Sequence, residues 1–239
     1  MEKQKLLYEG KAKKVYQTEQ EDRLIVEYKD DATAFNGLKK GTIIGKGVIN
    51  NQMSNRLMQR LEAAGIPTHY VTELNSRETV VKRVSIVPLE VIVRNIAAGS
   101  FSKRYGVEEG VCFAHTTIEF SYKNDGLGDP LLNADHALAM GLETEAELAA
   151  IRAYALRINE VLKSFWAECG VTLVDFKLEF GRLADGTIIL ADEISPDTCR
   201  LWDAKTGEKL DKDRFRRDLG GVEDAYAEVM RRLVAHDAK

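Results

Sequence analysis

The residues with the most informative spacing lie in Asp175-Phe176-Lys177-Leu178-Glu179-Phe180, where polar and apolar side chains alternate strictly. This alternation predicts a β-strand, because successive side chains of a strand point to opposite faces. Asp175, Lys177 and Glu179 then share one face, and the apolar residues between them anchor the other face in the core. The strand therefore presents two carboxylates and one ammonium group side by side.

A hairpin brings a further carboxylate to this strand. Asp185-Gly186 is typical of a two-residue turn, and an apolar strand follows it. If this turn pairs Ala184 with Thr187, Glu179 lies directly opposite Asp192, with β-carbons about 5 Å apart. Two carboxylates in such a position repel each other unless a positive charge lies between them.

Mg²⁺ fits between Glu179 and Asp192, because it takes one or two protein carboxylates and completes its shell with water and phosphate oxygens. The alternative is an exposed strand face on which Lys177 neutralises its neighbours. A turn one residue longer would place the two carboxylates out of register, and Glu193, beside Asp192, would then be an alternative ligand.

Lysines cluster near the start of the chain, in Tyr8-Glu9-Gly10-Lys11-Ala12-Lys13-Lys14. Gly10 permits a tight turn, and the alternation that follows puts Lys11 and Lys13 on one side of the emerging strand. Two such charges beside free backbone N–H groups suit a polyphosphate, although lysines also protect exposed strand edges from pairing. Lys82, inside a second apolar run, needs an anion, which a phosphate or Glu179 would supply.

A third set of polar residues begins at Arg94, which closes an apolar strand. The small residues Ala97 to Gly99 allow close approach to the backbone, and Ser100 is placed to cap a helix. Arg94, Ser100 and helix-terminal N–H groups suit a phosphate monoester, while an ordinary capped turn explains the pattern equally well. Asp197 and Arg200 follow the carboxylate hairpin and are expected at the same end of the sheet.

Three helices are expected to position these strands. Apolar spacing predicts one from Val48 to Ala64, ended by Gly65 and Pro67. A capping box, Thr144-x-x-Glu147, starts the second, and Gly170 suits the left-handed residue that follows it. The third extends from about Val222 to His236.

Strands surround these helices without regular alternation, which indicates an α+β fold. The expected strands are Leu6–Tyr8, Val15–Tyr16 and Leu24–Tyr28, which form a β-meander, then Thr79–Val84 and Glu90–Arg94. We take Ser85–Leu89, which contains Pro88, as the boundary between an N-terminal lobe (1–84) and a C-terminal lobe (85–239).

Composition narrows the class of protein. The chain has 239 residues, of which 44% are hydrophobic and 30% charged, as in globular proteins. Its 34 basic and 38 acidic residues leave a net charge of −4, which disfavours a nucleic-acid partner. No apolar stretch approaches the length of a membrane span, and three scattered cysteines indicate reduced thiols, so we expect a cytoplasmic protein.

In this order along the chain, six motifs resemble the bacterial SAICAR synthetase family: EGKAKKVY, GIPTHY, VVKR, VRNIAAGS, DFKLEFG and DEISPDTCRLWD. The resemblance implies an ATP-dependent ligase that joins L-aspartate to CAIR, an aminoimidazole ribonucleotide carboxylate, in de novo purine biosynthesis. It also implies a two-lobed fold related to ATP-grasp and protein-kinase-like proteins, a nucleotide cleft between the lobes, Mg²⁺ and a homodimer.

The same resemblance assigns roles to individual residues. Nucleotide contacts are expected from Lys11, Ala12, Lys13, Val15 and Lys82, and Mg²⁺ ligands from Glu179 and Asp192. The ribonucleotide is expected at Arg94, Ser100 and Arg200, and L-aspartate at Lys123 and Asp129. Asp175, Lys177 and Asp197 are expected around the reacting carboxylate. The segment Asp31–Gly37 also resembles the family, but we assign it no catalytic role.

Two other functions fit parts of this pattern. A kinase-like phosphotransferase would share the nucleotide cleft, but the chain has no catalytic loop of the His-Arg-Asp type. A non-enzymatic nucleotide sensor would keep the lysine hairpin and would not need the second set formed by Arg94, Ser100 and Arg200.

Overall fold

The computed structural model of the protein describes residues 1–35 and 37–238, so Asn36 of the segment Asp31–Gly37 lies outside the described residues. The strands are Leu6–Glu9 (β1), Lys13–Gln17 (β2), Arg23–Tyr28 (β3), Asp31–Ala34 (β4), Lys39–Thr42 (β5), Tyr70–Asn75 (β6), Glu78–Lys82 (β7), Ser85–Ile96 (β8), Cys112–Tyr122 (β9), Leu131–Leu132 (β10), Val171–Arg182 (β11), Ile188–Ala191 (β12) and Cys199–Asp203 (β13). The α-helices are Lys46–Ala63 (α1), Gly99–Tyr105 (α2), Ala134–Ala139 (α3), Glu145–Glu168 (α4), Asp213–Arg216 (α5) and Val222–Asp237 (α6).

The first sheet has five strands in the order β1-β2-β3-β7-β6, and its first three strands form the expected meander. Helix α1 packs on this sheet and buries Met53, Leu57 and Leu61, as its apolar spacing predicts. The helix begins two residues earlier than expected. Its first turn is held by the Asp30 carboxylate, which accepts hydrogen bonds from the backbone N–H groups of Gly45 and Gly47.

The second sheet has six strands, in the order β10-β9-β8-β11-β12, with β13 paired to β11. Strand β11 shows the predicted alternation, because Phe176, Leu178 and Phe180 are buried in the main core. Helix α4 packs against β11 and begins with the expected capping box, in which Thr144 and Glu147 exchange hydrogen bonds. The helix prediction is therefore confirmed at this N-terminus.

We expected the boundary stretch to lie between two strands, and this was wrong. The position of the lobe boundary itself stays a prediction. Ser85–Leu89 is the first part of the long strand β8, with Val87 and Leu89 buried. Only Arg83 and Val84 separate β7, in the first sheet, from β8, in the second. Both sheets are antiparallel and combine with helices, so the α+β expectation is confirmed at that level.

A second connection between the sheets runs through Pro67, Thr68 and His69. Thr68 forms a parallel bridge with Leu190 of β12, and the His69 N–H donates to the Leu190 carbonyl at 2.8 Å. The His69 carbonyl accepts from the Lys82 N–H at 2.7 Å. This segment thus bonds to β7 on one side and to β12 on the other. Among the described residues, no helix combines the length and apolar character that a membrane span requires.

Candidate active site

A cavity of about 580 Å³ lies where the two sheets meet. Its volume is in the range of small-molecule and cofactor sites. The residues that line it and were expected to bind nucleotide, metal or substrate are Lys11, Ala12, Lys13, Val15, Lys82, Lys123, Asp129, Lys177, Glu179 and Asp192. The structure therefore brings residues from both ends of the sequence to one space.

One end of the cavity is apolar and was not predicted in full. Besides Val15, its wall contains Leu24 and Val26 of β3, Val81 of β7, and Ile86 of β8. The alternation along β3 was the signal for Leu24 and Val26, because a strand turns every second side chain to the same face. A slot of this composition suits a flat aromatic ring.

The hairpin register at the other end differs from the prediction by one residue. Glu179 pairs with Ala191, because the Leu183 N–H donates to the Thr187 carbonyl and encloses a three-residue loop. Gly186 takes the left-handed conformation in this loop, with φ of 85°. The two carboxylates therefore do not lie directly opposite each other. Asp192 follows the end of β12 with φ of 58°, in the left-handed region that a non-glycine residue seldom adopts.

Lys177 lies between the carboxylates that were expected to hold a metal. Its Nζ donates to Glu179 Oε1 and lies 3.4 Å from Asp192 Oδ2 and 3.5 Å from Glu90 Oε1. Burial alone would lower the pKa of Lys177, but the Glu179 and Asp192 carboxylates outweigh burial and raise that pKa well above its usual value. Lys177 thus neutralises its neighbours, as in the alternative considered above, but the strand face is buried and not exposed, since Glu179 is 4% exposed. Metal binding by Glu179 and Asp192 stays a prediction.

Two further lysines complete this charge cluster. Lys123 Nζ donates to Glu179 Oε1 at 3.0 Å, and Lys13 Nζ forms an ion pair with Asp192. Burial alone would raise the pKa of Asp192, but the Lys13 and Lys177 cations outweigh burial and hold that pKa well below its usual value. Asp192 is therefore an anion, and both carboxylates are held by ammonium groups that a polyphosphate would also attract.

The donor set fits Mg²⁺ bound together with phosphates. Within residues 1–35 and 37–238, no group of three or more His, Cys, Asp or Glu side chains is placed to hold a metal ion alone. Two carboxylates suffice when water and phosphate oxygens supply the remaining ligands. Glu193 lies beside them, and its Oε2 is buried without a hydrogen-bond partner among the described residues. Burial raises the pKa of Glu193.

Lys82 has different partners from those expected. Its Nζ donates to the Thr68 carbonyl at 2.8 Å and lies 4.0 Å from Glu62 Oε1. Glu179 is held by Lys123 and Lys177, so of the two anions considered for Lys82 Glu179 is not its partner, and a phosphate stays a prediction. Lys82 nevertheless lines the cavity, where its ammonium group is available to a ligand.

Arg94, Ser100 and Arg200 come together, and Asp175 lies at their centre. Arg94 donates to Asp175 Oδ2 at 2.7 Å and to Ser100 Oγ at 3.0 Å. Arg200 Nη1 lies 3.0 and 3.1 Å from the two Asp175 oxygens. The Arg200 guanidinium also lies against Gly99, where a β-carbon would be 2.3 Å from Nη2. The small residue at position 99 is therefore required by this close approach.

Asp197 does not contact Lys177 or Asp175. It is buried, and its Oδ1 accepts from the Tyr226 hydroxyl at 2.6 Å while Oδ2 accepts from Lys46 Nζ at 2.8 Å. Burial alone would raise the pKa of Asp197, but Lys212 and Lys46 outweigh burial and hold that pKa below its usual value. Asp175, Lys177 and Asp197, which were expected together around the reacting carboxylate, thus lie in three separate charge clusters. Asp175 is held by two arginines, Lys177 by Glu179 and Asp192, and Asp197 by Lys46 and Tyr226.

The loop that carries Lys123 and Asp129 lies at the mouth of the cavity. Asp129 Oδ1 accepts from the Asn124 N–H at 2.8 Å and so shapes the loop. Asp125, which the sequence did not single out, forms an ion pair with Lys11 at 2.8 Å. This pair joins the lysine hairpin to the loop across the cavity entrance.

Sequence reasoning also missed three residues in the clusters around Asp175 and Asp197. Asp213 holds Arg200 Nε at 2.9 Å and Arg216 Nη1 at 2.7 Å. Lys46 is fully buried, and Tyr226 is a buried residue of α6. The only local signal for Lys46 was its position between two glycines, Gly45 and Gly47, at a helix start.

Comparison with known proteins identifies similar chains. The family model described as SAICAR synthetase matches residues 6–233. A phosphoribosylaminoimidazole-succinocarboxamide synthase of Lachnoclostridium phytofermentans is 64% identical over 233 residues, covering 98% of this chain and 99% of the relative. The protein of the same name from Deinococcus deserti is 61% identical, with 98% of each chain covered.

Solved structures agree with these sequence matches. The crystal structure of the synthase from Ehrlichia chaffeensis is 46% identical and superposes with a TM-score of 0.95, covering 97% of this chain and 99% of that one. A structure described as SAICAR synthetase (Type-2) in complex with ADP is 48% identical, with a TM-score of 0.93 and coverage of 95% and 97%.

Proposed function

Because the chain belongs to the SAICAR synthetase family, we propose that it joins the carboxylate of CAIR to the amino group of L-aspartate at the expense of ATP. The products are SAICAR, ADP and phosphate, and the reaction belongs to de novo purine biosynthesis. The single observation that carries this proposal is the cavity, in which an apolar slot leads to a cluster of lysines and carboxylates.

ATP is assigned to this cavity. The base fits the apolar slot beside Ala12 and Val15, and the phosphates fit the lysine end. Lys11, Lys13 and Lys82 supply the positive charge there. The relative described as an ADP complex supports this placement, since it is 48% identical to the chain.

Glu179 and Asp192 would hold Mg²⁺, whose chemistry when bound is to neutralise charge on the phosphate oxygens. The ammonium group of Lys177 lies between these carboxylates, at the place assigned to the transferred phosphoryl group. Lys177 therefore supplies a fixed positive charge where two anionic reactants meet, which is the main requirement of phosphoryl transfer.

CAIR is assigned to the neighbouring cluster, with its phosphate at Arg94, Ser100 and Arg200. The two guanidinium groups have the charge and the planar donor geometry that bind phosphate monoesters, and the Ser100 hydroxyl is a further donor. L-Aspartate is assigned to the side of Lys123 and Asp129, because both line the mouth of the cavity.

The reaction requires activation, since a carboxylate is a poor acceptor for an amine. A carboxylate oxygen of CAIR attacks the γ-phosphorus of ATP, ADP leaves, and an acyl phosphate forms. The aspartate nitrogen then attacks the acyl carbon, phosphate leaves, and a carboxylate accepts the proton. Asp175 and Asp197 are the candidates for this acceptor. Each carboxylate receives three hydrogen bonds, Asp175 from Arg94 and Arg200 and Asp197 from Tyr226 and two lysines, so hydrogen bonding does not distinguish between them.

Three further features belong to the same proposal. The first sheet and α1 form the N-terminal lobe, the remaining strands and helices form the C-terminal lobe, and ATP binds in a cleft between them, as in ATP-grasp and kinase-like proteins. The cavity, lined from both sheets, supports this division. The active form is a homodimer, the commonest symmetric assembly, and its location is the cytoplasm.

The decisive experiment measures ADP release with ATP and CAIR, with and without L-aspartate, alongside chromatographic detection of SAICAR. The proposal requires turnover only when all three substrates are present. ADP release that does not depend on L-aspartate would identify a phosphotransferase instead. ATP binding without turnover of CAIR would support a nucleotide sensor.

A further inference from the structure

Lys46 is a fully buried lysine whose charge is balanced by one carboxylate. Its side chain is inaccessible to solvent, and its Nζ donates to Asp197 Oδ2 at 2.8 Å. A buried ion pair contributes little to stability compared with apolar residues of the same volume, so its presence suggests a role beyond folding. Asp197 is also held by the Tyr226 hydroxyl and lies 3.4 Å from Lys212.

The segment that contains Asp197 joins the two ends of the site. It runs from Asp192, after β12, to Thr198, before Arg200 enters through β13. Its contacts come from several elements: Ser54 of α1 accepts from the Ile194 N–H at 3.2 Å, and the Lys177 N–H of β11 donates to the Thr198 carbonyl at 2.9 Å. Helices α1 and α6 supply the shortest contacts of the Asp197 carboxylate, through Lys46 and Tyr226.

A chain of hydrogen bonds and ion pairs leads from the Asp197 backbone to the proposed ribonucleotide site. The Asp197 carbonyl accepts from Arg216 at 3.5 Å, and Asp213 holds both Arg216 and Arg200. Arg200 in turn contacts Asp175. If the Asp197 carboxylate lost Lys46, its charge would attract Lys212 and Arg216 more strongly and displace the pairs beyond them.

We propose that Lys46 is a positioning residue, which holds Asp197 and thereby fixes the segment that sets Arg200 relative to Asp192. The inference rests on the proposed function for the identity of the substrates. Its effect falls on CAIR more than on ATP, because Asp192 is anchored independently by Lys13 and Lys177. Lys46 does not line the cavity, and it reaches the proposed site only through Asp197.

The test compares Lys46→Met with the unmodified full-length chain in steady-state kinetics and in calorimetric binding of ADP with Mg²⁺. We expect kcat/KM for CAIR to fall about 100-fold, since a displacement of about 1 Å has this effect on positioned groups. ADP affinity is expected to stay at its original value. Wild-type kcat/KM for CAIR in the folded variant, or an equal loss of ADP affinity, would overturn the proposal.

Thr79→Val is the matched control for lost stability. Thr79 is buried on β7 and bonds to Asn51 and Asn55 of the same helix α1, but it lies outside the cavity lining and the Asp197 cluster. This variant should have a lower Tm and an unchanged kcat/KM for CAIR. A fall in kcat/KM equal to that of Lys46→Met would show that Lys46 acts only through the docking of α1.

Tyr226→Phe keeps the test decisive if Lys46→Met does not fold. It removes one hydrogen bond from Asp197 without unpairing a charge, and we expect about a tenfold fall in kcat/KM for CAIR with ADP affinity unchanged. Unchanged kinetics in this variant would count against the proposal. If the unmodified protein fails to turn over CAIR, the proposed function fails, while calorimetric CAIR binding by the variants still tests the positioning role.

Discussion

At the residue scale, the charge balance of the cavity depends on Lys177. Its ammonium group reaches Glu179, Asp192 and Glu90, so three carboxylates share one central cation. Binding of a metal and a polyphosphate would add charges of both signs to this cluster. The lysines would then be free to contact phosphate oxygens while the carboxylates contact the metal, without a large movement of either set.

Glu179→Gln should reduce ATP-dependent turnover by at least about 100-fold, because one of the two anionic ligands is lost and Lys123 and Lys177 lose the carboxylate that they share. The fold should persist, since the amide has the shape of the carboxylate. The measurement is ADP release with all three substrates, together with circular dichroism. Asp185→Asn, at the exposed hairpin tip, is the control and should retain full activity. Near-normal turnover by both Glu179→Gln and Asp192→Asn would rule out the proposed metal ligands.

The sequence predicted contacts between residues of this site when both residues belong to one short motif. Arg94 and Ser100 are six positions apart, and a strand end followed by a helix start brings them into contact. Lys46 and Asp197 are 151 positions apart, and no local pattern connects them. A pairing of this kind depends on how α1 docks, which periodicity alone does not determine.

At the element scale, the hairpin of β11 and β12 shows how one turn decides the arrangement of a site. A two-residue turn and a three-residue loop both place glycine in the left-handed region, so Asp185-Gly186 is compatible with either. The longer loop occurs, and Asp192 reaches Lys177 through its own left-handed backbone instead of through the pairing. Pro88 similarly suggested that no strand passes through this position, although Pro88 lies within β8.

The connection between β11 and α4 should respond to pH through Glu143. Its side chain is buried, Arg182 donates to its Oε2 at 2.6 Å, and burial raises its pKa from 4.5 to about 7. The folded protein therefore retains a proton that the unfolded chain has released. This contribution to stability is complete below about pH 4.5 and is lost as the pH rises through about 7.

Glu143→Gln removes this titration. Between about pH 5 and about pH 8, the free energy of unfolding of the original protein should fall by on the order of 1 to 3 kcal/mol relative to the variant, as measured by urea denaturation. Arg182 keeps its second partner, Glu147, so the variant should fold. Glu145→Gln, which is exposed in the first turn of α4, should retain the original pH dependence. Parallel pH profiles for Glu143→Gln and the original protein would contradict the assignment.

At the scale of the whole molecule, the net charge of −4 does not come from a separation of basic and acidic surfaces. The cavity lining contains five lysines and six acidic residues, which lie interleaved. In the next cluster, Arg94 and Arg200 are paired with Asp175 and Asp213. The overall balance argues against a polynucleotide partner and is compatible with small phosphorylated substrates.

Nucleotide binding between the sheets should stabilise the whole chain. With Mg²⁺ and free ADP at about 100 times its Kd, the gain is about 2.7 kcal/mol, which corresponds to a Tm increase of roughly 5 to 10 °C for a chain of this size. Differential scanning calorimetry measures this shift. Lys13→Met should reduce it at the same ADP concentration, whereas Lys163→Met, on the exposed side of α4, should not. Equal Tm increases in the two variants would show that Lys13 does not contact the phosphates.

The bridge between Thr68 and Leu190 has a consequence for the order in which the molecule assembles. The two residues are far apart in sequence, and contacts of that kind form slowly because a long loop must close first. During synthesis, the wall of the cavity near His69 and Asp192 is incomplete until β12 has left the ribosome. The first sheet can form earlier, but the nucleotide pocket is complete only after β12 has been synthesised. ATP binding is thus a late marker of folding, and a fragment that ends before β12 would lack it.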